Sequence, residues 1–84
     1  MPEKTMEKGR VVRSLAGRDK GHFFAIIEFD ELYCFLVNGE MRKLELPKKK
    51  KLRHVSLTKT VIDLDCFENN KKLKKALEGF EGKK

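Results

Sequence analysis

Apolar residues fall in short runs separated by charged or glycine-containing breaks, the pattern of a small sheet. Arg10-Val11-Val12-Arg13-Ser14-Leu15 has the β-branched character of a first strand. Ala16 to Gly21 encloses Arg18, Asp19 and Lys20 between two glycines and reads as a turn, with Gly17 and Gly21 as the turn formers. His22 to Phe29 is almost continuously apolar, as expected of a central strand covered in part on both faces. Asp30 and Glu31 mark a tight turn, and Leu32 to Val37 reads as a third strand. Asn38-Gly39 signals a type I′ hairpin, which needs positive φ at both central residues. It predicts a fourth strand, Glu40 to Leu46, stopped by Pro47, which cannot donate to a ladder. Lys48 to His54 comes next as a basic loop, Val55 to Thr58 alternates as a fifth strand, and Val61 to Leu64 is a short extended piece or turn.

The period changes in the tail. Leu73, Ala76, Leu77 and Phe80 recur at helical spacing, Asn69 or Asn70 can cap the start, and Gly79 or Gly82 can end it. The expected architecture is therefore mainly β, a five-stranded barrel with one short C-terminal α-helix laid on it, leaving Lys71, Lys72, Lys74 and Lys75 in water. Eighty-four residues support one core. The predicted organisation is a flexible leader over 1–8, the barrel over 9–66, the helix over 67–80 and a flexible tail over 81–84.

Charge then adds a partner class. Residues 1–46 carry eight Lys and Arg against eight Asp and Glu, and residues 47–84 carry twelve against five, so the net charge of +7 lies wholly in the second half. Cations gathered in this way attract a polyanion, because each phosphate neutralised releases condensed counterions. Nucleic acid is the first expectation and an acidic membrane surface the second. The apolar stripe of the helix is narrow for membrane attachment, no run approaches the length of a membrane span, and the N-terminus lacks a signal-peptide core, so a cytoplasmic address is expected.

Catalytic and metal chemistry find no foothold. His22 and His54 are the only imidazoles, with no third ligand at a recognisable spacing. Cys34 and Cys66 lie in apolar contexts without a C-x-x-C pairing and read as free, buried thiols of blunted reactivity. The turn from Gly17 to Gly21 lacks the spacing and succeeding helix of a nucleotide-binding phosphate loop. A non-enzyme without metal, cofactor or small-molecule substrate is expected.

Lys8-Gly9-Arg10-Val11-Val12-Arg13-Ser14-Leu15-Ala16-Gly17-Arg18-Asp19-Lys20-Gly21 resembles the KOW motif, a basic-glycine start, a valine strand, a Gly-x-Asp-Lys-Gly turn and an apolar strand. Arg42-Lys43-Leu44-Glu45-Leu46-Pro47 and the basic run to His54 are similar to the lysine-rich stretch downstream of that motif in small KOW proteins akin to a large-subunit ribosomal protein of archaea and eukaryotes. The resemblance implies an SH3-like barrel and contacts to ribosomal or other structured RNA, and the size suggests a free-standing bacterial relative. It assigns Gly17 and Gly21 to the turn, and Arg18 and Lys20 to RNA phosphates.

A tight turn does present cations outward. The bland alternative is a solvated turn with a local Asp19–Lys20 pair contributing under about 1 kcal/mol. Lys48, Lys49, Lys50, Lys51, Arg53 and His54 form the second candidate contact, against the alternatives of a flexible lysine loop kept for solubility or, in a nucleated cell, an import signal. Arg10, Arg13, His22, Arg42 and Lys43 complete the candidate RNA-binding set. Phe23, Phe24, Phe29 and Phe35 read as core, and Tyr33 as a rim tyrosine rather than an exposed stacking platform, so recognition of RNA backbone and shape is expected rather than base reading. The competing expectation is a docking module of the transcription or translation machinery, since KOW barrels in elongation factors also bind proteins.

Overall fold

The computed structural model describes residues 5–81. Five strands, β1 (Arg10–Ser14), β2 (Phe23–Phe29), β3 (Tyr33–Val37), β4 (Lys48–Lys51) and β5 (Val55–Val61), form one antiparallel sheet in the order β4-β3-β2-β1-β5. A 3₁₀ turn at Leu52–His54 joins β4 to β5, a second lies at Leu64–Glu68, and helix α1 (Asn70–Glu81) ends the described chain. No helix among the described residues is long and apolar enough to cross a membrane.

The 3₁₀ turn forces the sheet to curl. In a flat sheet β4 and β5 would stand about 19 Å apart, four inter-strand steps. The link from Lys51 to Val55 reaches at most about 14 Å. Register shifts opposite Arg10 to Val12, where β5 carries the extra residues between Leu57 and Val61, and between Ile26 and Glu28 of β2 insert irregularities that bend β5 and β2. No hydrogen-bonded ladder joins β4 to β5, so the sheet is curled and not closed by hydrogen bonds.

The single core expected from the chain length is divided, because strand alternation sends side chains to two clusters. Val12, Phe24, Ile26, Cys34, Leu36 and Val55 fill one. Val11, Ala25 and Val37 form the other with Leu73 and Leu77 of α1, and Phe23 meets Phe80 at 5.4 Å between ring centroids. Burying Leu73 and Leu77 contributes about 1.5–3 kcal/mol each and holds the helix on the sheet. Asn69 caps α1, its Oδ1 accepting from the Lys72 amide at 2.8 Å. The helix runs through Gly79 rather than ending there, while Gly82 lies outside the described residues. Its exposed lysines face water, Lys72 pairing with Glu68 and Lys74 with Glu40.

The segment from Asn38 to Lys51 differs from the sequence expectation. Residues 40–46 form turns and irregular chain, and the fourth strand is the lysine run itself. Asn38 does not adopt positive φ, so no type I′ turn forms. It is buried instead, with Oδ1 accepting the amides of Glu40 and Arg42 at 3.0 Å each. Gly39 alone takes φ +80°, and a Cβ there would collide with the Asn70 carbonyl and the Lys74 amide. Asn70 fastens the same loop to the helix, accepting from the Leu44 amide at 2.8 Å and donating to Glu45 at 2.7 Å. These bonds satisfy the irregular backbone without a ladder.

Smaller differences remain: Phe35 is half-buried and belongs to neither core, and the helix begins at Asn70 rather than at residue 67. β5 reaches Val61 rather than stopping at Thr58. Cys34 is buried, whereas Cys66 is half-buried. Within the leader, residues 1–4 lie outside the described chain, but Thr5 accepts from Arg10 Nε at 2.8 Å and Met6 packs on the first core.

Candidate nucleic-acid interface

The loop between β1 and β2 is built from two overlapping turns, Lys20 N–H to Gly17 O at 3.2 Å and His22 N–H to Asp19 O at 3.0 Å. Gly17 and Gly21 take φ of +84° and +89°, in the left-handed region that glycine enters at little cost. The loop thereby turns Arg18 and Lys20 outward and Asp19 inward.

Asp19 is 2% exposed and Lys50 is 8% exposed, and Lys50 Nζ reaches Asp19 Oδ1 at 2.6 Å. The same ammonium donates to the Ala16 carbonyl at 2.7 Å and to Ser14 Oγ at 2.9 Å. Ser14 Oγ also lies 2.8 Å from Asp19 Oδ1. Burial alone would raise the Asp19 carboxyl, but the hydrogen bonds from Lys50 and Ser14 and the Lys50 charge outweigh it and hold the carboxyl below 3.8. The acid of the turn is thus paired with a strand lysine thirty-one positions away rather than with its neighbour Lys20. A further bond, Leu15 N–H to His54 O at 2.9 Å, ties the loop to the 3₁₀ turn.

The period of β4 divides the lysine run. Lys48 and Lys50 share one face, paired in register with Leu36 and Cys34 of the first core. Lys49 and Lys51 share the other, opposite Phe35 and Tyr33, and Lys49 Nζ sits 4.3 Å from the Tyr33 ring centroid. A groove of about 490 Å³ opens on the Lys48 side, lined by Gly17, Arg18, Asp19, Arg42, Lys48 and His54 together with Ala16 and Lys50. Asp19 Oδ2 and Arg42 Nε, an acceptor and a donor of lining residues, are buried there without a hydrogen-bond partner among the described residues.

The structure therefore gathers Arg18, Arg42, Lys48 and His54 around the turn, with Lys50 behind them as its support. Lys49, Lys51 and Arg53 lie on the other side of β4 and its 3₁₀ turn, where Lys51 and Arg53 line a second groove with Tyr33. Arg10 is withdrawn from solvent, 4% exposed, donating to the Thr5 and Thr58 carbonyls and facing Glu7. His22 lines a separate cavity against α1 with Phe23 and Leu77. Arg13, Lys20 and Lys43 are exposed, outside both grooves. Ser14, a supporting residue that the charge pattern passes over, shows in sequence only as a small polar residue before the glycine turn, whereas Asp19 stands within the turn as its one acid.

The thiol of Cys34, pushed up to about 11 by burial, is a poor nucleophile. The chain matches no known family model. A comparison with curated proteins finds no match either.

Proposed function

We propose that this chain is a non-enzymatic RNA-binding protein of the KOW type, an SH3-like barrel that grips structured RNA through the backbone. One observation carries the reading. The glycine turn resembling the KOW motif opens onto a groove with Arg18, Arg42, Lys48 and His54 around it, and a buried ion pair fixes its shape. Cations held in a rigid frame lose little entropy on meeting phosphate, and contacts to phosphate position a backbone without reading bases. The strand order and the 3₁₀ turn linking the edge strands support the SH3-like assignment. Ribosomal RNA is the partner that the resemblance favours.

The test is filter binding of structured RNA over a range of salt concentrations. If about six phosphates are engaged, log affinity falls against log salt with a slope of roughly −4 to −5. Arg18→Ala and Lys48→Ala should each reduce that slope by about one. Weak, salt-independent binding would defeat the proposal. Strand addition at β4 by a protein partner is the less favoured route, because an edge strand of four lysines resists pairing.

A further inference from the structure

The second groove, about 400 Å³, lies across β4 from the first and is lined by Glu31, Leu32, Tyr33, Lys51, Leu52 and Arg53. Leu32 is 69% exposed, a large apolar side chain set beside a half-buried aromatic ring. The floor is preformed. Asp30 Oδ1 accepts from the amides of Leu32 and Tyr33 at 2.8 Å each, and the Leu52 amide donates to the Leu32 carbonyl at 2.9 Å. The rim is cationic, with Lys51 opposite Tyr33 in register and Arg53 beyond it. Among the described residues, Glu31 is the only acid in the lining.

We infer that this groove takes one unpaired nucleobase of a bound RNA, the base resting on Leu32, Tyr33 and Leu52 while Lys51 and Arg53 meet the flanking phosphates. An apolar floor that includes an aromatic ring, within a cationic rim, suits a nucleotide better than a neutral side chain, since bases stack on aromatic rings and their phosphates demand counter-charge. Glu31 can accept from an exocyclic amino group. Arg53 and His54 are consecutive, one lining each groove, so a strand crossing the 3₁₀ turn can leave phosphates in the first groove and place a base in the second. The inference rests on the RNA reading and extends it from backbone grip to a preference for looped, bulged or single-stranded sites.

Tyr33 is the only tyrosine and the chain has no tryptophan, so its intrinsic emission reports on this groove alone. The experiment titrates the intact protein with a short mixed-sequence single-stranded RNA, with the blunt duplex of the same sequence, and with inorganic polyphosphate, following tyrosine emission and filter binding together. The single strand should quench emission saturably, and the duplex and polyphosphate should bind with little quenching. Leu32→Ala, at an exposed position, should weaken the single strand about fivefold, the low end of what one stacked base is worth, and leave duplex affinity unchanged. RNA binding without quenching, or equal quenching by polyphosphate, would overturn the base pocket while the backbone reading stands. No binding of either RNA would overturn both. Tyrosine emission that depends on protein concentration without RNA would assign the groove to a second copy of the chain and overturn the inference.

Discussion

Lys49, Lys50 and Lys51 carry the same side chain and meet three surroundings: a tyrosine ring, a buried carboxylate and open solvent. A run of identical residues offers no internal signal of such a division, and low strand propensity turns the sequence reading toward a loop. What divides them is the two-residue alternation of a strand whose existence only the tertiary pairing with β3 reveals. Lys50→Ala leaves Asp19 buried without its cation and should cost about 3–5 kcal/mol in urea unfolding. Lys51→Ala should stay within about 0.5 kcal/mol. If RNA affinity falls in Lys50→Ala, it should do so through a loosened loop, visible as faster amide exchange from Ala16 to Gly21. The turn glycines were legible because conformation singles them out. The partner of Asp19 was not, because a contact across thirty-one positions leaves no local trace.

At the scale of elements, β1, β2, β3 and α1 were readable because apolar period and turn chemistry agree there. The segment after β3 was not. Asn38-Gly39 carries the strongest local hairpin signal, yet Asn38 spends its side chain on the Glu40 and Arg42 amides, and Gly39 is needed where the helix backbone comes close. Both reasons lie in the tertiary structure. Gly39→Ala adds a backbone collision to the strain of positive φ and should lose more than about 2 kcal/mol, with amide protection falling along α1. Gly21→Ala meets open space at φ +89° and should lose only the conformational cost, about 1–2 kcal/mol. Urea midpoints of the two variants compare them directly.

For the whole molecule, the excess of cations in the second half resolves into β4 with its 3₁₀ turn and the exposed face of α1, where Lys72 and Lys74 already have acidic neighbours. Net charge and class of fold could be read from the chain; which cations share a groove depends on the curl. The acids give the molecule a directional response to pH. Asp19 is lowered against the pull of its burial by Lys50 and Ser14, Asp30 by the amides of Tyr33 and Leu32, Glu45 by Asn70 and Glu68 by Lys72. A carboxyl lowered by folding stabilises the native state above its unfolded value, and that contribution is lost as pH falls through the native value. The urea midpoint should therefore hold from neutrality to about pH 5 and decline below it. Asp19→Asn should flatten part of the decline.

The support beneath the glycine turn has a consequence for the order in which the chain is made. Everything that resembles the motif is present once Phe29 has been synthesised, but Lys50 and His54, which fasten its turn, come more than twenty residues later. During vectorial synthesis the early meander of β1, β2 and β3 can pair before the turn acquires its final shape. A nascent or truncated chain ending before Lys48 holds the complete motif and lacks the residues that make it rigid. Rigidity of that turn is therefore a late event, coupled to delivery of the lysine strand rather than to the stretch that carries the resemblance.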